Sequence, residues 1–134
     1  MSPEKDKILC EKYPKIFKSR TENETLLYFG FECHDGWFDL IDSLCSSIQR
    51  HIDYEKDKSI QIVAAQVKSK FGGLRFYYDG GDDFIHGAVD VAENISQKTC
   101  EMCGRPGQRV GDGWIFTMCK SCNRARFETK KINT

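Results

Sequence analysis

Four cysteines in two matching hooks carry the clearest chemistry in the chain: Cys100-x2-Cys103 and, fifteen residues later, Cys119-x2-Cys122. Two residues between cysteines let a tight knuckle aim both sulfurs at one ion, and two knuckles at this separation suit a tetrahedral Zn²⁺ held by four thiolates. Gly104 follows the first hook, where the backbone can turn without a Cβ penalty. Four thiolates leave no open position for an activated water, so the pattern points to a structural clip rather than a catalytic zinc. Between the hooks, "RPGQRVGDGWIFTM" reads as a small hairpin with Gly-Asp-Gly near its tip. Cys10, Cys33 and Cys45 have no second hook. Cys45, beside Leu44 in an apolar stripe, reads as a small core residue, and Cys33 beside His34 as a core or near-surface thiol.

A second chemistry sits in "QVKSKFGGLRFYY". Gly72 and Gly73 allow backbone N–H groups to approach an anion, Lys68, Lys70 and Arg75 supply positive charge, and Tyr77, with Phe76 or Tyr78, offers a ring to stack on a base. Lys68, Lys70, Gly72, Gly73, Arg75 and Tyr77 are therefore the candidate residues for a phosphate-bearing ligand. A strand period of two places Lys68 and Lys70 on one face, and Phe76 and Tyr78 opposite Tyr77. The competing reading is a plain β-hairpin with its lysines in water and its aromatics in the core. In "DGGDD", Asp79, Asp82 and Asp83 can be a divalent-metal cluster. The favoured reading there is a Gly80-Gly81 turn followed by a helix cap at Asp82 or Asp83. His34, His51 and His86 are scattered over different elements, and the chain has no GxSxG, HExxH, P-loop or GxGxxG pattern. The reading is thus a binding protein, not an enzyme.

The elements that must position these groups follow from periodicity. A helix is expected from Glu4 to about Glu11, with Ile8 and Leu9 turned inward and Pro14 ending it. "LLYFGFEC" suits a short strand or a buried connection. In "DGWFDLIDSLCSSIQRHI", Trp37, Leu40, Ile41, Leu44, Ile48 and Ile52 make one helical stripe, with Asp35 as N-cap. "IQIVAAQV" reads as a strand, although Ala-Ala-Gln leaves a helix open, and "LRFYY" as a second strand. A further helix starts near Asp82 with Ile85, Ala88, Val89, Ala92 and Ile95 on one side, and the chain closes in the cysteine module and a polar tail. The fold class is α+β: two or three helices on a short antiparallel sheet, plus a C-terminal zinc ribbon. Residues 1–97 form the α+β core and 98–134 the ribbon with its basic tail, together one compact unit.

Composition sets the outer limits. The chain has 134 residues, 40% hydrophobic and 12% aromatic, enough for one core and against general disorder. Formal charge is zero, but the stretch from Lys98 to Thr134 carries +5 and the rest −5. A zinc with four thiolates lowers that C-terminal excess to about +3, a modest patch for a nucleic-acid binder. No apolar run is long enough to span a membrane and the first residues are charged, so the expectation is a cytoplasmic protein. Pairing through the hairpin edge makes a homo-oligomer possible.

"GWFDLIDSLC", "QVKSKFGGLRFYYDGGD" and "KTCEMCGRPG…GW…TMCKSC", in this order, resemble a family of small uncharacterised bacteriophage and prophage proteins. The resemblance spans about Tyr28 to Cys122. Ser69 departs from it, standing between two lysines where the pattern has an acidic residue. What the resemblance implies is a phage or mobile-element setting, with the host cytoplasm as location. Small proteins there bind host factors or sequester nucleotide signals of host immunity. Three functions follow: a nucleotide-binding anti-defence protein first, then a zinc-ribbon nucleic-acid-binding regulator, then a protein-binding inhibitor of a host enzyme.

Overall fold

The computed structural model describes residues 1–132, with side chains as far as Thr129. Four α-helices and two small antiparallel sheets make an α+β fold: α1 (Pro3–Lys12), α2 (Phe38–Tyr54), β1 (Ile62–Lys70), β2 (Gly73–Gly80), α3 (Asp83–Ser96), β3 (Gln108–Val110), β4 (Phe116–Met118) and α4 (Lys120–Ile132). No helix among the described residues is long and apolar enough to cross a membrane.

The β1–β2 hairpin is the main sheet. Val67 lies opposite Phe76, Lys68 opposite Arg75 and Ser69 opposite Leu74, with a register shift between Ala64 and Gln66. That shift is a bulge, and it inverts the side-chain alternation. Ile62 and Ala64 are buried before it and Val67 after it. Ala-Ala-Gln is therefore the bulged part of a strand, and the helical alternative for this segment is excluded.

Both long edges of the hairpin are occupied, as an exposed edge would invite pairing with another chain. On β2, the Leu74 N–H donates to Ser96 Oγ (2.8 Å) and the Phe76 N–H to a Glu93 carboxylate oxygen (2.9 Å), both from α3. On β1, Ala64 N–H reaches Ile16 O, while Glu32 exchanges bonds with Val67 and Ser69. These edge positions, through which the sequence made a homo-oligomer possible, are bonded to groups of the same chain.

The core lies under the sheet. Trp37, Ile41, Cys45 and Ile48 meet Ile62, Val67, Leu74 and Phe76, and α3 adds Ile85, Val89 and Ala92. Phe17 packs edge-to-face on Phe31 (5.1 Å) and Phe76 (6.3 Å).

Several expectations need correction. Ile8 is exposed and Leu9 alone of that pair is buried; Ile95 is also exposed, on the rim of a groove between α2 and α3. Asp35 does not cap α2: a 3-10 turn, Asp35–Trp37, leads into the helix, and Asp35 Oδ1 accepts the Ser2 N–H (2.7 Å). "LLYFGFEC" makes a 3-10 turn, Leu26–Phe29, followed by a single bridge from Glu32 to Lys68. The polar tail is a helix, α4, which joins three others among the described residues. Cys122, Ala125, Arg126 and Thr129, at helical steps, face Phe116 and Met118 of the ribbon.

Candidate metal centre and the adjoining trough

Each hook is shaped by its own backbone. Gly104 N–H donates to Cys100 O (2.9 Å) and Cys100 N–H to Arg105 O (2.7 Å), closing the first knuckle. The second opens α4: Asn123 N–H reaches Cys119 O (3.0 Å), and Cys122 N–H points at Cys119 Sγ (3.4 Å). That N–H holds the Cys119 thiol down, to about 7, while burial pushes Cys122 up to about 12. The four sulfurs lie within 4.8 Å of one another, with Cys103 Sγ 3.7 Å from Cys119 Sγ. Zinc bonds of about 2.3 Å to tetrahedral sulfurs require S···S distances of about 3.8 Å. The all-sulfur donor set and this spacing fit a metal ion.

The cysteine module is fastened to the hairpin tip. Phe71 and Gly72 form a two-residue turn with φ of 54° and 78°, the left-handed pair that suits the strand twist. Thr117 Oγ1 donates to Gly72 O (2.5 Å) and Arg109 Nη2 to Phe71 O (2.8 Å). A Cβ on Gly72 would stand 3.2 Å from Ile115 Cγ2 and from the Phe116 backbone. Gly72 thus serves both the turn and the close approach of β4.

Glu101, inside the first hook, makes the second attachment. Only 2% exposed, its carboxylate accepts from His34 N–H (3.1 Å) and Ser69 Oγ (3.0 Å). Its backbone bonds Thr117 O and the Gly36 N–H. Trp37 Nε1 donates to Thr99 O (2.9 Å). At Gly36 a Cβ would run into the Cys100 and Glu101 carbonyls, so only glycine permits this contact.

Of the six residues proposed as a phosphate site, Lys68, Arg75 and Tyr77 share one face of the hairpin, and the two glycines stand apart from them. Gly72 and Gly73 are buried, the former beneath the ribbon. Arg75 and Tyr77 pair across the strands with Lys68 and Gln66 on the hairpin's outward face. Lys70 is exposed, 5.8 Å over the Phe71 ring. Phe76 is buried and Tyr78 half-buried on the face opposite Tyr77. Cys33 is a core thiol, 4% exposed: burial, then the Glu101 charge, pushes it up to about 12.

The module and the main sheet enclose instead a trough of two hollows, about 320 Å³ and 430 Å³, that share His34 and Phe116 as walls. Lys68, Glu101 and Trp114 line the first, and Met102, Met118 and Arg126 the second. Trp114 is 74% exposed and its ring lies 6.4 Å from that of Phe116. Arg126 stacks 4.9 Å over both Phe116 and Phe127, and Nη2 donates to Asn123 Oδ1 (2.9 Å). Its Nε is buried and has no hydrogen-bond partner. Of the six candidates only Lys68 reaches this trough; His34, Trp114, Phe116 and Arg126 escaped sequence reasoning as a set. The alternating Trp114-x-Phe116 pair leading into the second hook was the available signal. No protein-family model, curated protein or solved structure matches the chain.

Proposed function

We propose that the protein is a non-enzymatic binder of a phosphate-bearing nucleotide, seated in the trough along Phe116, with a structural Zn²⁺ in the four-cysteine clip holding the walls together. The observation that carries this reading is how the groups divide between the two hollows: Phe116 walls both, Lys68 and Trp114 line one and Arg126 the other. A base needs an aromatic face, worth about 1–3 kcal/mol per stacked ring, and Trp114, 74% exposed, offers one. A phosphate needs charge-assisted donors, and Arg126 is held by stacking with its Nε unsatisfied. The hollows are each of a size with small-molecule sites, about 300–1,000 Å³. Zinc supplies no chemistry to the ligand in this reading. Its hooks contribute wall residues, Met102 from the first and Cys122 from the second, so the clip sets the trough's shape. A phage setting, as the resemblance implies, makes a host signalling nucleotide the ligand and anti-defence the role.

Thermal shift and calorimetry with cyclic nucleotides, ADP-ribose derivatives and short oligonucleotides test the reading, since a ligand of the native state raises the melting temperature. A mononucleotide-class ligand should bind, Trp114→Ala and Arg126→Ala should lose it, and Arg75→Ala should keep it. Silence with every nucleotide overturns the proposal. Loss in Arg75→Ala alone moves the site to the hairpin's outward face. Oligonucleotide binding that weakens steeply with salt favours the nucleic-acid regulator instead.

A further inference from the structure

Far along the chain from the cysteine hooks, the end of α2 meets the start of α3 through three metal-capable donors. His51 and Glu55 stand four residues apart, one turn of helix, and Asp82 precedes α3. Asp82 divides its carboxylate: Oδ1 caps α3 by accepting Ile85 N–H (3.1 Å), and Oδ2 lies 2.7 Å from His51 Nε2. Glu55 Oε2 is 3.9 Å from that nitrogen, and the three donors lie within 4.8 Å of one another. The imidazole is held by stacking on Phe84, with centroids 4.2 Å apart and planes 17° from parallel.

We propose that His51, Glu55 and Asp82 form a second cation site, for a first-row divalent metal ion with its remaining positions filled by water. An ion pair explains Asp82, and Glu55 Oε1 accepts the Lys56 N–H (3.1 Å), but Glu55 Oε2 is left beyond hydrogen-bond length from a nitrogen already engaged. An ion between them uses all three. Bonds of about 2.1 Å need donors about 3.0–3.4 Å apart, so Asp82 retreats and Glu55 advances by about half an ångström each, within the reach of side-chain rotation. One imidazole nitrogen with two carboxylates selects first-row metals over Ca²⁺ and Mg²⁺, which take all-oxygen sets. Two carboxylates neutralise the ion, while Arg50, which lines a surface hollow with His51 and Glu55, weakens the site relative to a purely acidic cage. The side chains of His51, Asp82 and Glu55 are 19%, 27% and 33% exposed, so an ion can enter without opening the fold. Of the acidic run at the hairpin's end, only Asp82 takes part.

The test uses the full chain with its cysteine clip loaded with zinc, and Co²⁺ as probe, followed by equilibrium dialysis, metal analysis and absorption spectroscopy. The expected result is a second ion per chain, with zinc content unchanged and no thiolate-to-cobalt charge-transfer band. His51→Ala should abolish the uptake. Asp82→Asn should weaken it by roughly tenfold or more, since asparagine preserves the helix cap but not the charge. Asp83→Asn should leave it unchanged. The proposal fails if no second Co²⁺ binds, if His51→Ala takes it up as well as the native chain, or if the cobalt shows thiolate charge transfer and so sits in the clip. Should His51→Ala prove unfolded by circular dichroism, unchanged uptake by Asp82→Asn overturns it by itself.

Discussion

Replacing Glu101 tests whether the cysteine module is attached by hydrogen bonds or by charge. The carboxylate is buried, receives the His34 N–H at 3.1 Å and the Ser69 hydroxyl at 3.0 Å, and makes no ion pair among the described residues. Glu101→Ala strands both donors. An unmet buried donor costs about 1–3 kcal/mol, though the Ser69 hydroxyl can rotate and recover part of it. The one methylene lost with the carboxylate adds about 0.8 kcal/mol, for a total of about 2–4 kcal/mol. Against an ordinary stability of about 5–15 kcal/mol that is a large loss. Glu101→Gln keeps the shape. Its amide oxygen can take the His34 N–H, and its NH₂ can donate to Ser69 Oγ, which turns from donor to acceptor. It also places no charge in the interior, so the expected change is within about 1 kcal/mol of the native protein. Urea denaturation of the zinc-loaded proteins measures both, and metal analysis of each variant separates lost attachment from lost metal. If Glu101→Ala costs under about 1 kcal/mol, the loop before α2 does not depend on this carboxylate. If Glu101→Gln is as damaging as Glu101→Ala, charge and not hydrogen-bond geometry holds the module.

Phe71→Gly relieves a left-handed residue that is 62% exposed, so the urea midpoint should rise, by about 0.5–1 kcal/mol in stability; a fall would assign the ring a packing role. Gly36→Ala should cost about 2–3 kcal/mol, because its methyl meets backbone carbonyls that cannot rotate away; a neutral result would mean the first hook stands further from the loop. Burial pushes Cys10 and Cys33 up to about 12 and Cys45 well above its ordinary value, so almost no thiolate of these three exists at pH 8. With metal bound, a disulfide reagent should therefore react slowly throughout, and a chelator should release a fast thiol at Cys119; a fast thiol before chelation contradicts the assignment. Cys103→Ser should lower both metal content and melting temperature, and full retention of metal would refute the four-cysteine clip.

Much of this fold is legible in the sequence where its cause is local. The hooks need only spacing and a tight turn, the α2 stripe only a helical period, and the Asp82 cap only a carboxylate before an apolar run. What escaped has causes elsewhere in the chain. Periodicity tells which residues share a helix face but not what covers it, so Ile8 and Ile95 looked buried and are exposed. Asp35 has the right type and place for a cap, but the Ser2 N–H, thirty-three positions away, takes its oxygen. The bulge near Ala65 breaks the period-two pattern that marks a strand. α4 shows no apolar stripe because its inner face of Cys122, Ala125, Arg126 and Thr129 meets a narrow ribbon rather than a core. The trough was invisible for the same reason. Its walls come from residues 34, 68, 102, 116 and 126, which no window of sequence brings together.

Gly72 and Gly73 show why a glycine pair among basic residues is ambiguous. A phosphate cradle and a docked turn both require a residue without a side chain, because in each something approaches the backbone closely. They differ in what approaches, and here it is β4, with Thr117 and Arg109 taking the turn's carbonyls. Arg109, basic and placed near a glycine turn, therefore works for the fold. The same docking ties the trough to the metal. Its walls belong to the hairpin, the loop before α2, both hooks and α4, which are joined through Glu101, Thr117 and the four sulfurs. On the proposed reading, losing the ion would free α4 from the first hook and open the trough from one side. A ligand that binds only the closed trough must then hold the metal more tightly by the same factor that the metal tightens the ligand.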